Sequence, residues 1–504
     1  MFKRVLIANR GAIATRIIRT LKKLGIESVV VYHEKDQDSL HVQRADIAVC
    51  LGAGTVAETY LNQEKLLQIA SEEKVDAIHP GYGFLSENPT FVEKCESHGL
   101  KFIGPTPQQM NVFALKHLAR EAAEQAKVPL LPGSGVLEDV KSAIAWAEKI
   151  GYPVMLKSSA GGGGIGMQVC WEVDSLVDAW DSVKRLSANY FSDDRVFLEK
   201  FIDNARHIEV QIFADGKGDA VALGERDCSA QRRNQKVIEE CPAPNLNEAV
   251  RENMHRTAEK LMASVHYRNA GTVEFIFDVD QQSFYFLEVN TRLQVEHGVT
   301  EEVFNVDLVE WMLKLGAGEL QSLESIRSNL KPSGHSIQMR LYAEDTQQDF
   351  QPSAGLLSEV YFPETRGLRV DTWVEAGVEV PALFDPMLAK LIVSRDTREE
   401  ALEAMSQILN QTRIYGIETN LSYVASVLAT DSAKSGQLLT KTLASHSNRC
   451  PSFRILNAGT QTTIQDYPGR QGYWHIGVPP SGPMDSMSFR LANKLLNNAP
   501  SAAA

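Results

Sequence analysis

Polar and apolar residues alternate over residues 288–296, and this alternation predicts a β-strand with a functional face. Successive side chains of a strand point to opposite faces, so the polar ones would form a single stripe. The stripe consists of Glu288, Asn290, Arg292, Gln294 and Glu296. The opposite face would be anchored by Leu287, Val289, Leu293 and Val295. The ordinary alternative is a solvated face of an antiparallel sheet, which explains most strands of this kind.

A second strand, predicted over residues 273–277, favours the functional interpretation. It is hydrophobic apart from Glu274, and it is followed by turn-like residues 278–283 and an apolar run at 284–287. A hairpin would bring Glu274 close to Glu288 and Asn290. Two carboxylates and an amide oxygen suit Mg²⁺, which leaves its remaining positions to water and phosphate oxygens. The two strands therefore predict a metal and nucleotide site.

The start of the chain predicts a parallel α/β sheet. Strand-like residues 5–8 and 28–32 flank an amphipathic stretch at 12–24, and such alternation is typical of parallel sheets. A strand at 75–78 leads into a glycine-punctuated loop at 79–88, which is either a ligand-binding loop or a plain turn. A helix is predicted over residues 111–126. The loop at 9–12 lacks the G-x-G-x-x-G pattern, so a nicotinamide cofactor is not supported.

Two further segments are candidate anion sites. Residues 152–157 form a predicted strand that ends in Lys157, and five of the next ten residues are glycine. Exposed amides of such a loop can cradle phosphates, although a flexible hairpin tip has the same composition. Residues 225–236 concentrate cations within an acidic chain, and they form either an anion site or a solvated face.

Composition narrows the class of protein. A chain of 504 residues, 43% hydrophobic and 23% charged, predicts several globular domains. A net charge of −13 argues against a general nucleic-acid binder. No apolar run reaches the roughly 18 to 20 residues that span a bilayer, so no membrane partner is expected. Six scattered cysteines without a C-x-x-C pair argue against disulfides or zinc and indicate the cytoplasm.

A series of motifs resembles the biotin carboxylase component of biotin-dependent carboxylases, an ATP-grasp enzyme. The motifs are IANRG at 7–11, HPGYGFLSEN at 79–88, GYPVMLKSSAGGGGIGM at 151–167, FLEKFI and RHIEVQI around 197–212, ERDCSAQRRNQK at 225–236, EVNTRLQVEH at 288–297, MRLYAED at 339–345 and FDPMLAKLIV at 384–393. Motifs of this length, in this order, are highly specific, and together they span nearly all of residues 1–447.

The resemblance implies an α/β and α+β multidomain fold. A Rossmann-like N-terminal domain is expected at 1–114, and an ATP-grasp domain at 115–334 with a mobile lid at about 130–205. A biotin carboxylase C-terminal domain is expected at 335–447. Residues 448–504 would hold a linker and the truncated start of a β-rich carboxyltransferase module.

The resemblance also implies where ATP and a metal bind. The ATP-site residues would be Lys116, Lys157, Gly161, Gly162, Gly163, Gly164, Glu199, Lys200, His207, Gln231 and Asn234, with Ile202 and Ile276 near the base. The metal, Mg²⁺ or Mn²⁺, would be bound by Glu274, Glu288 and Asn290, in agreement with the strand argument. The glycine-rich segment would close over the nucleotide and exclude water.

Bicarbonate would bind beside the nucleotide, at Lys236, Arg292, Gln294, Val295 and Glu296. Glu296 would act as the general base, while Lys236 and Arg292 hold the developing carbonate. Phosphoryl transfer from ATP would give carboxyphosphate and ADP. Arg340 would stabilise the oxygen that becomes enolate-like on the biotin ureido group.

The last part of the chain indicates the final acceptor. Residues 453–459, 462–470, 477–485 and 490–493 resemble the opening of the carboxyltransferase domain of urea carboxylase. This implies a fragment of a longer polypeptide, with its carboxyltransferase domain as a partner and urea as the acceptor that becomes allophanate. The sequence has no Met-Lys-Met biotinylation motif, so biotin would arrive on a carrier domain outside this chain. The family often pairs its biotin carboxylase domains, so a homodimer is also implied.

Two alternatives stay open. The same half-reaction could serve guanidine or another amide, because the acceptor pocket would lie beyond Ala504. The chain could also be a non-catalytic ATP-binding module, although the complete polar stripe argues against this class.

Overall fold

The computed structural model describes residues 1–159, 166–191 (backbone only at 191), 193–233, 235–448, 457, 460 and 463–503. The chain divides into two compact units, Met1–Asn448 and Arg449–Ala504. Among the described residues, no helix combines the length and the apolar character needed to cross a membrane.

The first unit opens with a parallel sheet. Its strands are β1 (Arg4–Ile7), β2 (Glu27–Tyr32), β3 (Ile47–Cys50), β4 (Ala77–His79) and β5 (Lys101–Phe102), in the order β3-β2-β1-β4-β5. The accompanying helices are α1 (Gly11–Leu24), α2 (Leu40–Arg44), α3 (Gln63–Glu72), α4 (Pro89–Ser97) and α5 (Pro107–Ala114). Val5, Leu6 and Ile7 are fully buried because helices cover both faces of the sheet. The predicted βαβ start is confirmed.

A small antiparallel sheet follows. Helices α6 (Lys116–Gln125) and α7 (Val140–Ile150) precede β6 (Val154–Ser158), β7 (Met167–Cys170), α8 (Val173–Phe191) and β8 (Val196–Lys200). The strand order is β7-β6-β8. The single helix predicted over residues 111–126 is wrong. Leu115 has an extended backbone (φ −99°, ψ 114°), so α5 ends before it and α6 begins after it.

A long antiparallel sheet forms the centre of the first unit. Its first strands are β9 (Ala205–Asp215), β10 (Ala220–Arg232), β11 (Gln235–Cys241), β12 (Arg268–Asp278) and β13 (Ser283–Asn290). The helices of this region are α9 (Glu248–Ser264), α10 (His297–Phe304), α11 (Leu308–Gly316) and α12 (Leu323–Asn329). Ile208 and Val210 of β9 pack in one core with Met254 and Leu261 of α9. The other face of β9 is left for polar side chains.

The rest of the first unit extends this sheet. Its elements are β14 (His335–Tyr342), β15 (Glu344–Asp345), β16 (Gln351–Pro352), β17 (Gly355–Leu356), β18 (Glu359–Tyr361), β19 (Leu368–Thr372), β20 (Glu379–Val380), β21 (Met387–Arg395), α13 (Arg398–Gln411), β22 (Arg413–Tyr415), α14 (Leu421–Leu428) and α15 (Asp431–Lys434). The long sheet has the order β13-β12-β9-β10-β11-β14-β21-β19. Because β11 pairs with β14, the sheet continues across residue 334.

The predicted hairpin is confirmed, but its second strand is shorter than predicted. β13 pairs antiparallel with β12 and ends at Asn290, so the extended conformation predicted for residues 291–296 is wrong. The chain leaves the sheet there because Thr291 donates its N–H to Glu87 at 3.0 Å. A register shift also pairs Phe275 with Phe286 and Glu274 with Glu288. Leu287 is therefore bulged and 36% exposed, and it does not anchor the apolar face as predicted.

The described part of the second unit contains one α-helix, α16 (Ser486–Leu495). Asp485 caps its N-terminus by accepting hydrogen bonds from the backbone of Met487 and Ser488.

Candidate active site

A cleft of about 740 Å³ brings most of the predicted site residues together. Residues of α6 and of the small sheet line one side, and polar residues of the long sheet line the other. The predicted residues that line the cleft are Lys116, Lys157, Glu199, His207, Gln231, Lys236, Glu274, Glu288, Asn290, Arg292, Gln294, Val295, Glu296 and Arg340.

The remaining predicted residues lie elsewhere. Lys200 donates from Nζ to the carbonyls of Gly151 at 2.9 Å and Tyr152 at 3.0 Å, so it holds the backbone before β6. Ile202 and Ile276 are partly buried and do not line the cleft. The residues that lie outside the described part of the chain are Gly161, Gly162, Gly163, Gly164 and Asn234.

Lys236, on β11, is the centre of a network of charges. Its Nζ lies 2.6 Å from Glu209 Oε2, 2.9 Å from Glu274 Oε1 and 2.7 Å from Glu296 Oε1. Burial would lower the pKa of Lys236, but the three carboxylates hold that pKa well above its ordinary value. The amine is therefore a permanent cation within the site.

Glu296 is a buried carboxylate that stays ionised. It is 1% exposed and lies in the turn before α10, with Oε2 3.1 Å from the guanidinium of Arg340. Burial would raise the pKa of Glu296, but Lys236, Arg340 and Arg226 hold it well below its ordinary value. A charged carboxylate between two cations can accept a proton from an anion that the same cations bind.

The guanidinium of Arg340 is fixed by a second carboxylate. Glu239 Oε1 lies 2.5 Å from Arg340, and Gln338 donates from Nε2 to Glu239 Oε2 at 2.9 Å. Gln338 and Arg340 are two positions apart on β14, so their side chains point to the same face of that strand. This support leaves part of the Arg340 guanidinium directed at Glu296 and the cleft.

Arg292 connects the turn to the glycine-punctuated loop. Its Nε lies 3.0 Å from Glu87 Oε2, and its other nitrogens donate to Gln294 Oε1 at 2.8 Å and Asn290 Oδ1 at 3.1 Å. Glu87 belongs to the loop at 79–88, which is therefore part of the site rather than a plain turn. Tyr82 and Gly83 of the same loop line a neighbouring cavity.

Glu274, Glu288 and Asn290 place two carboxylates and an amide at the β12–β13 pair. Glu274 Oε1 accepts hydrogen bonds from Asn290 Nδ2 at 2.9 Å and Gln294 Nε2 at 3.1 Å, in addition to Lys236. Desolvation in the cleft and repulsion from Glu274 raise the pKa of the Glu288 carboxyl. A divalent cation would relieve this repulsion, so the three residues fit Mg²⁺.

The opposite end of the cleft is cationic. Lys157 and Arg120 both bind the carboxylate of Glu199. Burial and repulsion from Lys157 lower the pKa of Lys116. An anion between the two lysines would remove that repulsion, which is the environment that suits a phosphate group.

His207 lies between Gln231 and Glu274. Its Nδ1 is 2.7 Å from Gln231 Nε2, and its Nε2 is 2.9 Å from Glu274 Oε2 without hydrogen-bond geometry. Because an amide nitrogen donates, Nδ1 accepts and the proton of the neutral ring is on Nε2. The ring therefore connects Gln231 with Glu274.

Some residues that support the side chains of the site were not predicted from the sequence. Arg226 is fully buried and binds Glu209 Oε1 at 2.6 Å and Thr300 Oγ1 at 2.9 Å. A fully buried Arg226 excludes a solvated face for this part of the 225–236 charge run. The signal for Glu209 was present in the alternation of His207, Glu209 and Gln211 along β9.

A second cavity of about 430 Å³ adjoins the cleft. Both are lined by Arg292, Val295, Arg340, Tyr342 and Asp385. Its apolar wall includes Trp373, Leu383, Phe384 and Met387. An apolar wall opposite the Arg340 guanidinium suits a small heterocycle with a polar oxygen.

Comparison with known families shows which residues match. The model described as "Biotin carboxylase, N-terminal domain" matches residues 1–110, and "Carbamoyl-phosphate synthase L chain, ATP binding domain" matches 116–324. "Biotin carboxylase C-terminal domain" matches 338–445. "Carboxyltransferase domain, subdomain A and B" matches 476–504.

Individual proteins are similar over most of the chain. A biotin carboxylase of Halalkalibacterium halodurans is 47% identical over 88% of this chain and 98% of its own length. A urea amidolyase of Lachancea kluyveri is 51% identical over 99% of this chain but only 27% of its own length. The crystal structure of Kluyveromyces lactis urea carboxylase superposes with a TM-score of 0.81 at 44% identity, covering 100% of this chain and 38% of that one. The chain thus spans about a quarter of the urea amidolyase.

Proposed function

Because the chain belongs to the biotin carboxylase family of ATP-grasp enzymes, as its motifs predicted, we propose that it carboxylates biotin with bicarbonate and ATP. One observation carries this proposal. The ionised Glu296 lies between Lys236 and Arg340 in the cleft, and Arg340 also lines the second cavity. This arrangement suits an acid–base reaction of an anion placed between a nucleotide and a second substrate.

Bicarbonate would occupy the space beside Lys236, Arg292, Gln294 and Val295. Glu296 removes its proton, because the neighbouring cations keep this carboxylate ionised. Lys236 and Arg292 offset the negative charge that develops on the carbonate. The carbonate then attacks the terminal phosphoryl group of ATP, which gives carboxyphosphate and ADP.

ATP would bind with its phosphates at the cationic end of the cleft. Lys116 and Lys157 face this end, and Glu199, His207 and Gln231 lie next to it. The proposal also includes Gly161, Gly162, Gly163, Gly164, Lys200, Ile202, Asn234 and Ile276. Glu274, Glu288 and Asn290 would hold Mg²⁺ or Mn²⁺, which neutralises charge on the transferring phosphoryl group when it is bound.

Biotin would enter the second cavity, with its ureido oxygen towards Arg340. Carboxyphosphate would break down into CO₂ and phosphate, and the phosphate would accept the ureido proton of biotin. The Arg340 guanidinium stabilises the enolate-like oxygen that results, and the ureido nitrogen then bonds to the carbon of CO₂. Glu239 and Gln338 hold the guanidinium in place before the reaction. The biotin is expected on a carrier domain.

We further propose that the carboxyl group is transferred to urea, giving allophanate. The support is the match of residues 476–504 to a carboxyltransferase domain, together with the similarity to a urea amidolyase over nearly the whole chain. The partners would be the biotin carrier and carboxyltransferase domains of a longer polypeptide. We also propose domain boundaries near residues 114, 334 and 447, and the family matches over residues 1–110, 116–324 and 338–445 support this division.

The test is ADP release from ATP by the 504-residue chain with Mg²⁺, with and without bicarbonate and free biotin. We expect turnover that needs bicarbonate and rises with biotin, and that is lost in Glu296→Ala and strongly reduced in Arg340→Ala. Glu240→Gln is the matched control, because Glu240 is a buried, ion-paired glutamate that binds Arg398 on the other face of β11.

The outcome also distinguishes the alternatives. Tight nucleotide binding without turnover in any condition would mean a non-catalytic module. Turnover that is unchanged in Glu296→Ala would overturn the assignment of the base. For the acceptor, rates with urea and guanidine are compared in the full-length polypeptide, and a preference for guanidine would overturn the urea proposal.

A further inference from the structure

Two backbone carbonyls of the active-site turn are held by fully buried side chains. Lys390 of β21 donates from Nζ to the carbonyl of Val295 at 2.9 Å. The Nδ1 of His297 lies 2.7 Å from the carbonyl of Gln294, and it donates because a carbonyl can only accept. Lys390 and His297 are both 0% exposed, and neither lines the cleft. Their hydrogen bonds reach the site through the backbone of the turn.

These bonds set the direction of the peptide groups that follow each carbonyl. In a trans peptide the C=O and the next N–H point in opposite directions. Because the carbonyls of Gln294 and Val295 point towards His297 and Lys390, the N–H groups of Val295 and Glu296 point away from these two side chains. Residues 291–296 belong to no helix or strand. The backbone bonds at the end of this turn are long, 3.4 Å from His297 N to the Gln294 carbonyl and 3.3 Å from Val299 N to the Glu296 carbonyl. The shorter side-chain bonds of Lys390 and His297 add to them.

The ion pair of Lys390 does not explain its position. Its Nζ is 3.4 Å from Asp371, but Asp371 is also bound by Arg369 at 2.8 Å and Arg19 at 3.1 Å. Asp371 thus stays paired without Lys390. The charged and titratable groups around Lys390 are Asp371 and Arg369 of β19, Glu301 and His297 of α10, Arg16 of α1, and Arg340 of β14, which is opposite Lys390 in the strand pairing.

Burial lowers the pKa of Lys390 to about 8, even though Asp371 and Glu301 oppose this shift. The surroundings therefore disfavour the charge of Lys390 rather than require it. The hydrogen bond to Val295 is the specific contact that this amine contributes.

We propose that Lys390 is a positioning residue for bicarbonate, because its bond to the Val295 carbonyl holds residues 294–296 in the orientation that presents Glu296 to the anion. This inference rests on the proposed function. Lys390 itself does not touch the substrate. Its protonated form is the stronger donor, so positioning is best below about pH 8 and weakens above that pH.

The first test separates bicarbonate from ATP. In Lys390→Met we expect the KM for bicarbonate to rise about tenfold, the factor that corresponds to one charge-assisted hydrogen bond, while the KM for ATP stays within about twofold. In the unsubstituted protein the bicarbonate KM should rise above pH 8, and this rise should be absent in Lys390→Met. Equal changes in both KM values, or an unchanged pH profile, would overturn the proposal.

Arg398→Met is the matched control. Arg398 is also largely buried, pairs with Glu240, and donates to the carbonyls of Ala433 and Lys434 at 2.7 Å each. Arg398→Met therefore removes hydrogen bonds from a buried cation to backbone carbonyls, as Lys390→Met does, but at a place outside the turn. We expect it to lower stability without a selective change in the bicarbonate KM.

A second readout does not depend on turnover. Amide hydrogen exchange of residues 292–297 should be faster in Lys390→Met and unchanged in Arg398→Met. Unchanged exchange in Lys390→Met would overturn the positioning role even in an active enzyme. If the unsubstituted chain shows no bicarbonate-dependent turnover, the proposed function fails, and the role of Lys390 in bicarbonate binding fails with it. The hydrogen-exchange measurement still shows whether Lys390 fixes the turn.

Discussion

The amine of Lys236 lies 2.7 Å from Glu296 Oε1, and each group stabilises the charged form of the other. Glu296 raises the pKa of Lys236, and Lys236 lowers the pKa of Glu296 against the effect of burial. The two residues come from β11 and from the turn before α10, which are 60 positions apart in the sequence. The ionisation of the proposed base is thus a property of the assembled site.

Substitution of Lys236 should therefore change the pH dependence as well as the rate. In Lys236→Met we expect kcat/KM for bicarbonate to fall by about 10²- to 10³-fold, because an anion-stabilising donor is lost. Without the amine, burial raises the pKa of Glu296, so the remaining activity should fall as pH decreases over a range where the unsubstituted enzyme is flat. The measurement is the pH profile of ADP release from pH 8 downwards, and superimposable profiles would contradict this account.

Removal of Arg226 should destabilise the fold. Arg226→Met leaves Oε1 of the buried Glu209 without its cation, although Lys236 still binds Oε2. Breaking a buried pair from one side costs about 3–5 kcal/mol, which chemical denaturation measures. Arg413→Met is the control, because the Arg413–Glu359 pair is exposed and its loss should have a much smaller effect.

The hairpin of the site could be predicted from the sequence, but its end could not. Alternation and a turn-like segment correctly placed Glu274 opposite Glu288. The end of β13 at Asn290 depends on Glu87, which is about 200 positions away and binds both Thr291 and Arg292. The alternation of polar and apolar residues within one strand cannot predict that a carboxylate far away in the sequence ends the strand by binding its backbone.

Burial of charged residues was equally hidden from the sequence. Arg226 lies in a cationic run that reads as a solvated face, yet it is fully buried because Glu209 on the adjacent strand pairs with it. The neighbouring strands β9 and β10 put these two residues opposite each other at register Arg226↔Glu209. The charge run marked residues 225–236 as either an anion site or a solvated face, and the burial of Arg226 depends on strand pairing, which is a tertiary property.

Acid should destabilise the protein partly through His41. This residue of α2 is fully buried, neither ring nitrogen has a hydrogen-bond partner in the described residues, and burial lowers its pKa to about 4. Below about pH 6.5 the unfolded chain binds a proton that the folded state does not, so stability falls as pH decreases from 6.5 towards 4. At pH 5 this amounts to about 2 kcal/mol.

His41→Leu should remove this contribution. The melting temperature of the variant is expected to decrease less between pH 7 and pH 5 than that of the unsubstituted chain. At pH 7 the two should be similar, or the variant slightly more stable, because two unsatisfied nitrogens are removed from the core. Parallel curves of melting temperature against pH would contradict the role of His41.

Glu288→Gln should weaken metal binding without lowering the stability of the fold. The pKa of Glu288 is raised by desolvation and by Glu274, so its ionised form at neutral pH is disfavoured in the folded state, and stability would be regained as pH falls. The neutral amide removes the repulsion from Glu274. Without metal and nucleotide, we therefore expect the variant to melt at the same temperature or slightly higher.

The same substitution removes a proposed ligand, so the Mg²⁺ concentration for half-maximal ADP release should rise by at least about tenfold. The increase in melting temperature on addition of Mg²⁺ with ATP should shrink correspondingly. Glu359→Gln on β18 removes one negative charge from an exposed ion pair and should change neither quantity. An unchanged Mg²⁺ requirement in Glu288→Gln, with ATP cleavage intact, would show that Glu288 is not a metal ligand and that its repulsion with Glu274 is relieved by another cation.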